Sequence, residues 1–269
     1  MPLSPSENTP STLIRRSALM REYASEFGVG QEVREKEGEL TVVSIHQPQY
    51  LPWLGYLDKI DKSQIFVFLD NVQFKKNEWQ NRNRIKTAQG WQWLTVPVIH
   101  KFPQKIYEVE INNTVAWRKK HLQALITNYS KTPFFREHIG FFEETYDCDW
   151  HYLADINIHI IRYLTMSLGM RDKKFCRASD LKLSDGKTAR LVELCEQLGG
   201  DVYLAGRSGS EYLDLAKFKE AGISVQFQDY RHPRYEQLYG DFEPCMSAVD
   251  LLFNHGSESL AILREGGWN

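Results

Sequence analysis

Cysteine is scarce: Cys148, Cys176, Cys195 and Cys245 lie far apart in 269 residues. With no CxxC pair and no Cys-His spacing they exclude a structural zinc module, and reduced thiols of a cytoplasmic protein are the expected state. Long apolar runs are missing as well. The longest candidates are short strands such as IFVFL at 65–69, far below the roughly 18 to 20 residues that span a bilayer, so no membrane insertion is expected. Arg15 and Arg16 are followed by no apolar block, so no secretory signal is expected there. Neither sign of charge is in excess: 33 Lys and Arg against 35 Asp and Glu leave a net charge of -2. No global field draws the chain to nucleic acid or an anionic membrane, and any anion site must be local. The HExxH, GxSxG and GxGxxG signatures and the Gly-Lys-Ser ending of the Walker loop are absent. Metalloprotease, serine hydrolase and the common NAD and ATP loops therefore have no anchor. No metal site is expected, and nothing indicates a cofactor or an oligomeric state.

What is present is apolar and aromatic material. Hydrophobic residues make up 42% and aromatics 13%, with 7 Trp and 13 Tyr, as in a soluble globular protein. Residues 1–39 stand apart, rich in Ser, Pro, Glu and Arg, and are expected to form a partly disordered extension. Residues 40–269 are expected to form a single α/β domain. In it, VVSIH at 42–46 is a short apolar, β-branched run that stops at Gln47-Pro48. Pro52 then precedes Trp53, Tyr56, Leu57 and Ile60 at helical spacing, and IFVFL follows as a second buried strand,. Strand, loop, helix and strand in this order spell a right-handed crossover between parallel strands.

A third strand is expected at 91–98 (WQWLTVPV), followed by helices from 115 to about 170,. An edge strand at 173–177, a helix over 188–198 closed by Gly199-Gly200 and a buried strand VYLA at 202–205 come next,. The 206–210 loop is expected to open a helix running through 219, ahead of a last strand at 223–227. This alternation predicts an open, doubly wound, mostly parallel sheet of the Rossmann-like kind, with a helical insertion at about 115–170. Ligands of such sheets sit outside the carboxyl ends of the strands, where strand order reverses.

Three loops at those ends carry candidate chemistry. The first begins His46-Gln47-Pro48 and continues through Tyr50 to Tyr56, richer in polar and aromatic groups than a simple turn needs. His46, with an ordinary pKa near 6.5, is placed to act as general base or as a phosphate contact at a helix N-terminus; a buried histidine closing the strand is the structural alternative. The second loop, 70–86, holds Lys75, Lys76, Arg82, Arg84 and Lys86 against Asp70 and Glu78, a net +3. Lys76, Arg82 and Arg84 are candidates to hold a diphosphate, Gln73 supplies an amide, and Asp70 would orient His46 or a substrate hydroxyl. A solvated basic surface is the alternative. The third loop, Gly206-Arg207-Ser208-Gly209-Ser210, offers Arg207 to an anion and Ser208 and Ser210 as hydroxyl donors or helix caps,. Farther on, His232 could reach the same crevice, and Ser247 with Asp250 reads as a capping box,.

The segments HQPQYLPWLGYLDKI, FVFLDNVQFKKNEWQNRNRIKT, WLTVPV, YLAGRSGSEYLD, VQFQDYRHPRYEQ and MSAVDLLFNHG closely resemble the WbqC-like family of bacterial proteins. The resemblance covers about 42–256. It implies a transferase of surface-polysaccharide (O-antigen) or modified-sugar biosynthesis acting on a phosphate-bearing small molecule such as a nucleotide-linked sugar. Many members read Ser-Gly-Pro-Ser-Gly in the third loop, so Arg207 is particular to this chain. A looser analogy runs to adenylate-forming nucleotidyltransferases of the HIGH type, with His46 and the 208–210 loop in corresponding places. The second histidine of that motif is missing here, its position being filled by the Tyr50 to Tyr56 run. Nucleotidyl transfer and a non-catalytic module that presents a sugar nucleotide or carrier remain alternatives.

Overall fold

The computed structural model describes residues 39–266. The expected extension at 1–39 therefore lies outside the described residues except for Glu39. The sheet at the centre contains β1 (Val42–His46), β2 (Ile65–Phe68), β7 (Lys174–Arg177), β8 (Val202–Ala205) and β9 (Ser224–Phe227), all parallel, in the order β7-β2-β1-β8-β9. From β1 the chain first winds outward through β2 to β7, then returns to the other side of β1 for β8 and β9. The order reverses between β1 and β8, which makes that gap the switch point of a doubly wound, Rossmann-like α/β fold.

The strands feed a separate core on each face, with Ser44 of β1 a polar exception whose hydroxyl donates to the Lys59 carbonyl,. Val43, Ile45, Ile65, Val67, Tyr203 and Ala205 point to one face. There they meet Leu191, Leu194 and Cys195 of α5 (Lys187–Gln197) and Phe218 of α6 (Leu215–Glu220). Phe66 and Phe68 point to the other, toward Leu54, Leu57 and Ile60 of α1 (Leu54–Asp61). The turn from α5 into β8 needs both its glycines. Gly199 sits at φ +63°, and a Cβ on Gly200 would lie 2.5 Å from the Val43 side chain,.

Three helices, α2 (Trp117–Tyr129), α3 (Phe135–Asp147) and α4 (Leu153–Ser167), occupy the region expected to be helical. They do not stand apart from the sheet: Ile156, Ile160 and Leu164 of α4 share one buried cluster with Leu57, Phe68 and with Leu251 of α7 (Ala248–His255). A last helix, α8 (Ser259–Glu265), adds Leu263 to that cluster.

The 91–98 strand splits in two and neither part joins the parallel sheet. β4 (Gly90–Thr95) pairs antiparallel with β3 (Arg82–Thr87), and β5 (Val98–Ile99) pairs with β6 (Glu110–Ile111). Beyond β8 the 206–210 loop forms a short 3-10 turn, Arg207–Glu211, instead of opening the helix. The helix begins later because the Asp214 carboxylate accepts from the Ala216 N–H and caps it there,. Ser247 does cap α7, but Asp250 accepts hydrogen bonds from Tyr129, Tyr235 and Gln237 in the core and closes no capping box.

Candidate functional site

His46 is the last residue of β1 and faces the core side of α1, where its ring meets Tyr56 edge-on at 4.9 Å. Its Nδ1 lies 3.1 Å from the Gln47 carbonyl. A carbonyl only accepts, so Nδ1 carries the proton and Nε2 keeps a lone pair. Burial, then the neighbouring Lys59 ammonium, push the imidazole down to about 3 against the Gln47 bond. Lys59 is itself buried, its Nζ donating to the Ile45 carbonyl at 3.1 Å, and burial lowers it to about 7. His46 is thus neutral at pH 7 in the free protein, an acceptor at Nε2 and not a cation for phosphate. The ordinary pKa expected from sequence does not survive the desolvation.

β8 brings the partner wall. The register Ser44↔Leu204, carried two residues on, lets His46 and Gly206 leave adjacent strands side by side. Gly206 caps the 3-10 turn in which Arg207, Ser208 and Ser210 are all exposed, and Ser210 Oγ donates to the Arg207 carbonyl at 3.4 Å. The turn is anchored beneath by Gly209, where a Cβ would lie 3.1 Å from both Ala205 and Leu213. His46 thus ends β1 beside the end of β8 at the switch point, with Gln47 following the one strand and the turn that carries Arg207, Ser208 and Ser210 following the other.

The β1 loop is tied down by an amide of the second loop, Gln80, and by Asn157, which the sequence did not single out. Gln80 Nε2 donates to Gln47 Oε1 at 2.7 Å, and Asn157 Nδ2 donates to the carbonyls of Gln80 and Pro48. Tyr50 N–H donates to the Trp79 carbonyl, while its hydroxyl bonds both His121 and Tyr146. Asn157 had one signal: an amide on the apolar face of α4 among Leu153, Ile156 and Ile160.

Asp70 does not meet His46. It is fully buried, accepting from Arg177 Nε at 2.7 Å and from both N–H and Oγ of Ser179 at 2.9 Å. Arg177 ends β7 level with Phe68, so its guanidinium reaches forward to Asp70 and, through Nη1, to Asp155 at 2.8 Å. Gln73 is exposed and bridges to Lys105 through its backbone; Lys76 is exposed on the same loop. Arg82 and Arg84 alternate on the outer face of the hairpin. The Arg82 guanidinium lies 4.3 Å over Trp93 and that of Arg84 5.0 Å over Trp91. Lys86 is buried on the Asp241 carbonyl. His232 stacks on Trp53 with ring centroids 6.4 Å apart, and its Nδ1 donates to the Pro233 carbonyl.

The all-parallel sheet, with helices on its faces and its order reversing between β1 and β8, defines a doubly wound α/β protein. The chain belongs to the WbqC-like protein family, whose model matches residues 47–262. It is similar to Rv1507c of Mycobacterium tuberculosis, described only as an uncharacterized protein, with 42% identity over 226 residues, covering 82% of this chain and 97% of that one. No solved structure matches the chain. Among the described residues no helix is long and apolar enough to cross a membrane.

Proposed function

We propose that the chain transfers a group from a phosphate-bearing donor, such as a nucleotide-linked sugar, to an acceptor hydroxyl or amine in bacterial surface-polysaccharide or modified-sugar biosynthesis. The observation that carries this reading is the unprotonated Nε2 of His46, fixed by the Nδ1 bond to Gln47, at the switch point beside the Arg207 turn. An acceptor O–H or N–H placed on Nε2 loses its proton as it attacks, and the diphosphate leaves with the electron pair. Arg207 holds the leaving phosphate, and the Ser208 and Ser210 hydroxyls donate to its oxygens. A base near 3 is weak in the free protein, but a bound phosphate raises it by placing negative charge beside the ring. Donor binding thereby prepares the proton acceptor. In this reading Gln47, held by Gln80, shapes the wall; Asp70 fixes the neighbouring strand end; and Lys76, Arg82 and Arg84 lie outside the phosphate clamp.

The test is turnover of a panel of nucleoside diphosphate sugars, followed by release of the nucleotide, with His46→Asn and Arg207→Gln beside the parent. His46→Asn is expected to lower turnover by roughly 10²- to 10⁴-fold while the melting temperature holds. Parental turnover in a folded His46→Asn would sink the proposal. Donor binding by the parent without turnover would leave the binding-module reading in its place.

A further inference from the structure

The loops beyond β2 and β7 border a chamber of about 310 Å³, open to solvent on one side and lined by none of the residues assigned to the donor. The sequence brings its walls together by a short antiparallel run. Phe74 N–H donates to the Gln104 carbonyl, Ile106 N–H to Val72 and Tyr107 N–H to Asp70, so Lys105 and Tyr107 are laid beside Asn71. Ser179 and Lys182 come from the segment after β7, and Arg190 from the first turns of α5.

Its charge is one-sided. Lys105, Lys182 and Arg190 face it, whereas the acidic lining residue is Asp185, fully exposed and 3.7 Å from Arg190 Nη2. Asp70, behind Ser179, is already neutralised by Arg177. Two buried polar atoms of the lining have no hydrogen-bond partner within the protein: Arg190 Nε, a donor, and Asn71 Oδ1, an acceptor. Buried groups of this kind are ordinarily satisfied. The donor, in a lining that also carries two lysines, calls for an anion, and the acceptor calls for a hydroxyl or amine. α5 opens at the rim with Gly186 as its N-cap, no side chain bonded to its first N–H groups and no acid in its first turn, which adds to the preference for an anion. A volume at the lower end of small-ligand pockets, about 300 Å³, fits one compact molecule.

We infer that this chamber binds a small phosphomonoester carrying hydroxyls, a sugar phosphate in chemical class, with its phosphate on Lys182 and Arg190 and a hydroxyl on Asn71. The chamber lies between β2 and β7, two strand spacings, about 10 Å, from the gap between β1 and β8. It stands independently of the donor reading.

Calorimetric titration of the full chain with glucose 1-phosphate, inorganic phosphate and glucose tests it. Glucose 1-phosphate is expected to bind more tightly than inorganic phosphate, and glucose not to bind. Lys182→Gln, at an exposed position, and Arg190→Gln should each weaken both phosphate probes about tenfold. Asn71→Ala should weaken glucose 1-phosphate and spare inorganic phosphate, and His46→Asn should change neither. The inference is overturned by the absence of saturable binding of either phosphate at millimolar concentration. Parental affinity in a Lys182→Gln, Arg190→Gln double variant that keeps the parental melting temperature would overturn it too. Loss of binding in His46→Asn would merge the chamber with the crevice and end its independence, and equal affinity for the two phosphates would refute the sugar assignment.

Discussion

The carboxyl edge of the parallel sheet and the outer face of the β3–β4 hairpin carry similar side chains in opposite circumstances. On the hairpin, Arg82 and Arg84 lie over Trp93 and Trp91, and Lys86 donates to a backbone carbonyl. Their charge is spread along an aromatic wall. At the sheet edge, His46 keeps Nε2 unused and Arg207 stands exposed on a tight turn. The same residue types thus lie against aromatic faces in one region and stand open in the other, and the proposed donor site uses the second.

The largest effect expected from a single substitution that breaks this contrast is at Asp70. Asp70→Ala removes the buried acceptor of Arg177 and Ser179 and should cost about 3 kcal/mol or more in urea unfolding. A loss below about 1 kcal/mol would show that Asp155 alone satisfies Arg177.

Acid should come next. Burial, helped by Lys59, puts His46 at about 3 in the folded chain, and burial puts His121 and His159 at about 4. The unfolded chain takes up these protons near 6.5, so it binds more protons than the folded one between those values. Stability is therefore full above 6.5 and lost as pH falls toward 4, at up to about 1.4 kcal/mol per pH unit for each histidine. His46→Gln should flatten the slope of unfolding free energy against pH in that window by one proton. An unchanged slope would mean that the ring stays wetter than its packing on Tyr56 implies.

A smaller effect belongs to the link between the two regions. Gln80→Ala frees Gln47 and should cost about 1 kcal/mol of stability while raising the KM for the donor, measured on the same sample. Smallest of all is the hairpin face itself. A double-mutant cycle of Arg82→Ala and Trp93→Ala should give a coupling of about 0.5 to 1 kcal/mol, with donor affinity changed less than twofold. A tenfold loss of donor affinity on Arg82→Ala would bring the hairpin into the binding site.

The central strands were legible because VVSIH, IFVFL and VYLA are short apolar runs that only a sheet covered on both faces can bury, and their order set the crevice. β3 was not: RNRIKT reads as polar loop, since its Arg side chains find tryptophan partners on a strand that follows a turn. Asp70 and His46 each close a strand end, so pairing them looked natural. The partner that Asp70 has, Arg177, is 107 residues away, and nothing local announces it. The chamber was equally silent, because Lys105, Lys182 and Arg190 are ordinary surface cations until three separate segments bring them together.

The pairing of β1 with β8 also has a consequence in time. Thr41 and Asp201, 160 residues apart, are joined by a hydrogen bond where the two strands begin. At about 5 to 20 residues per second of synthesis, β1 leaves the ribosome roughly 8 to 30 s before β8. During that interval β1 can pair with β2, but its other edge has no neighbour, a bare ladder of N–H and C=O groups open to any passing strand. The wall bearing His46 is thus made early and its companion bearing Arg207 late, so a nascent chain released before residue 205 would carry half a crevice and a sticky edge.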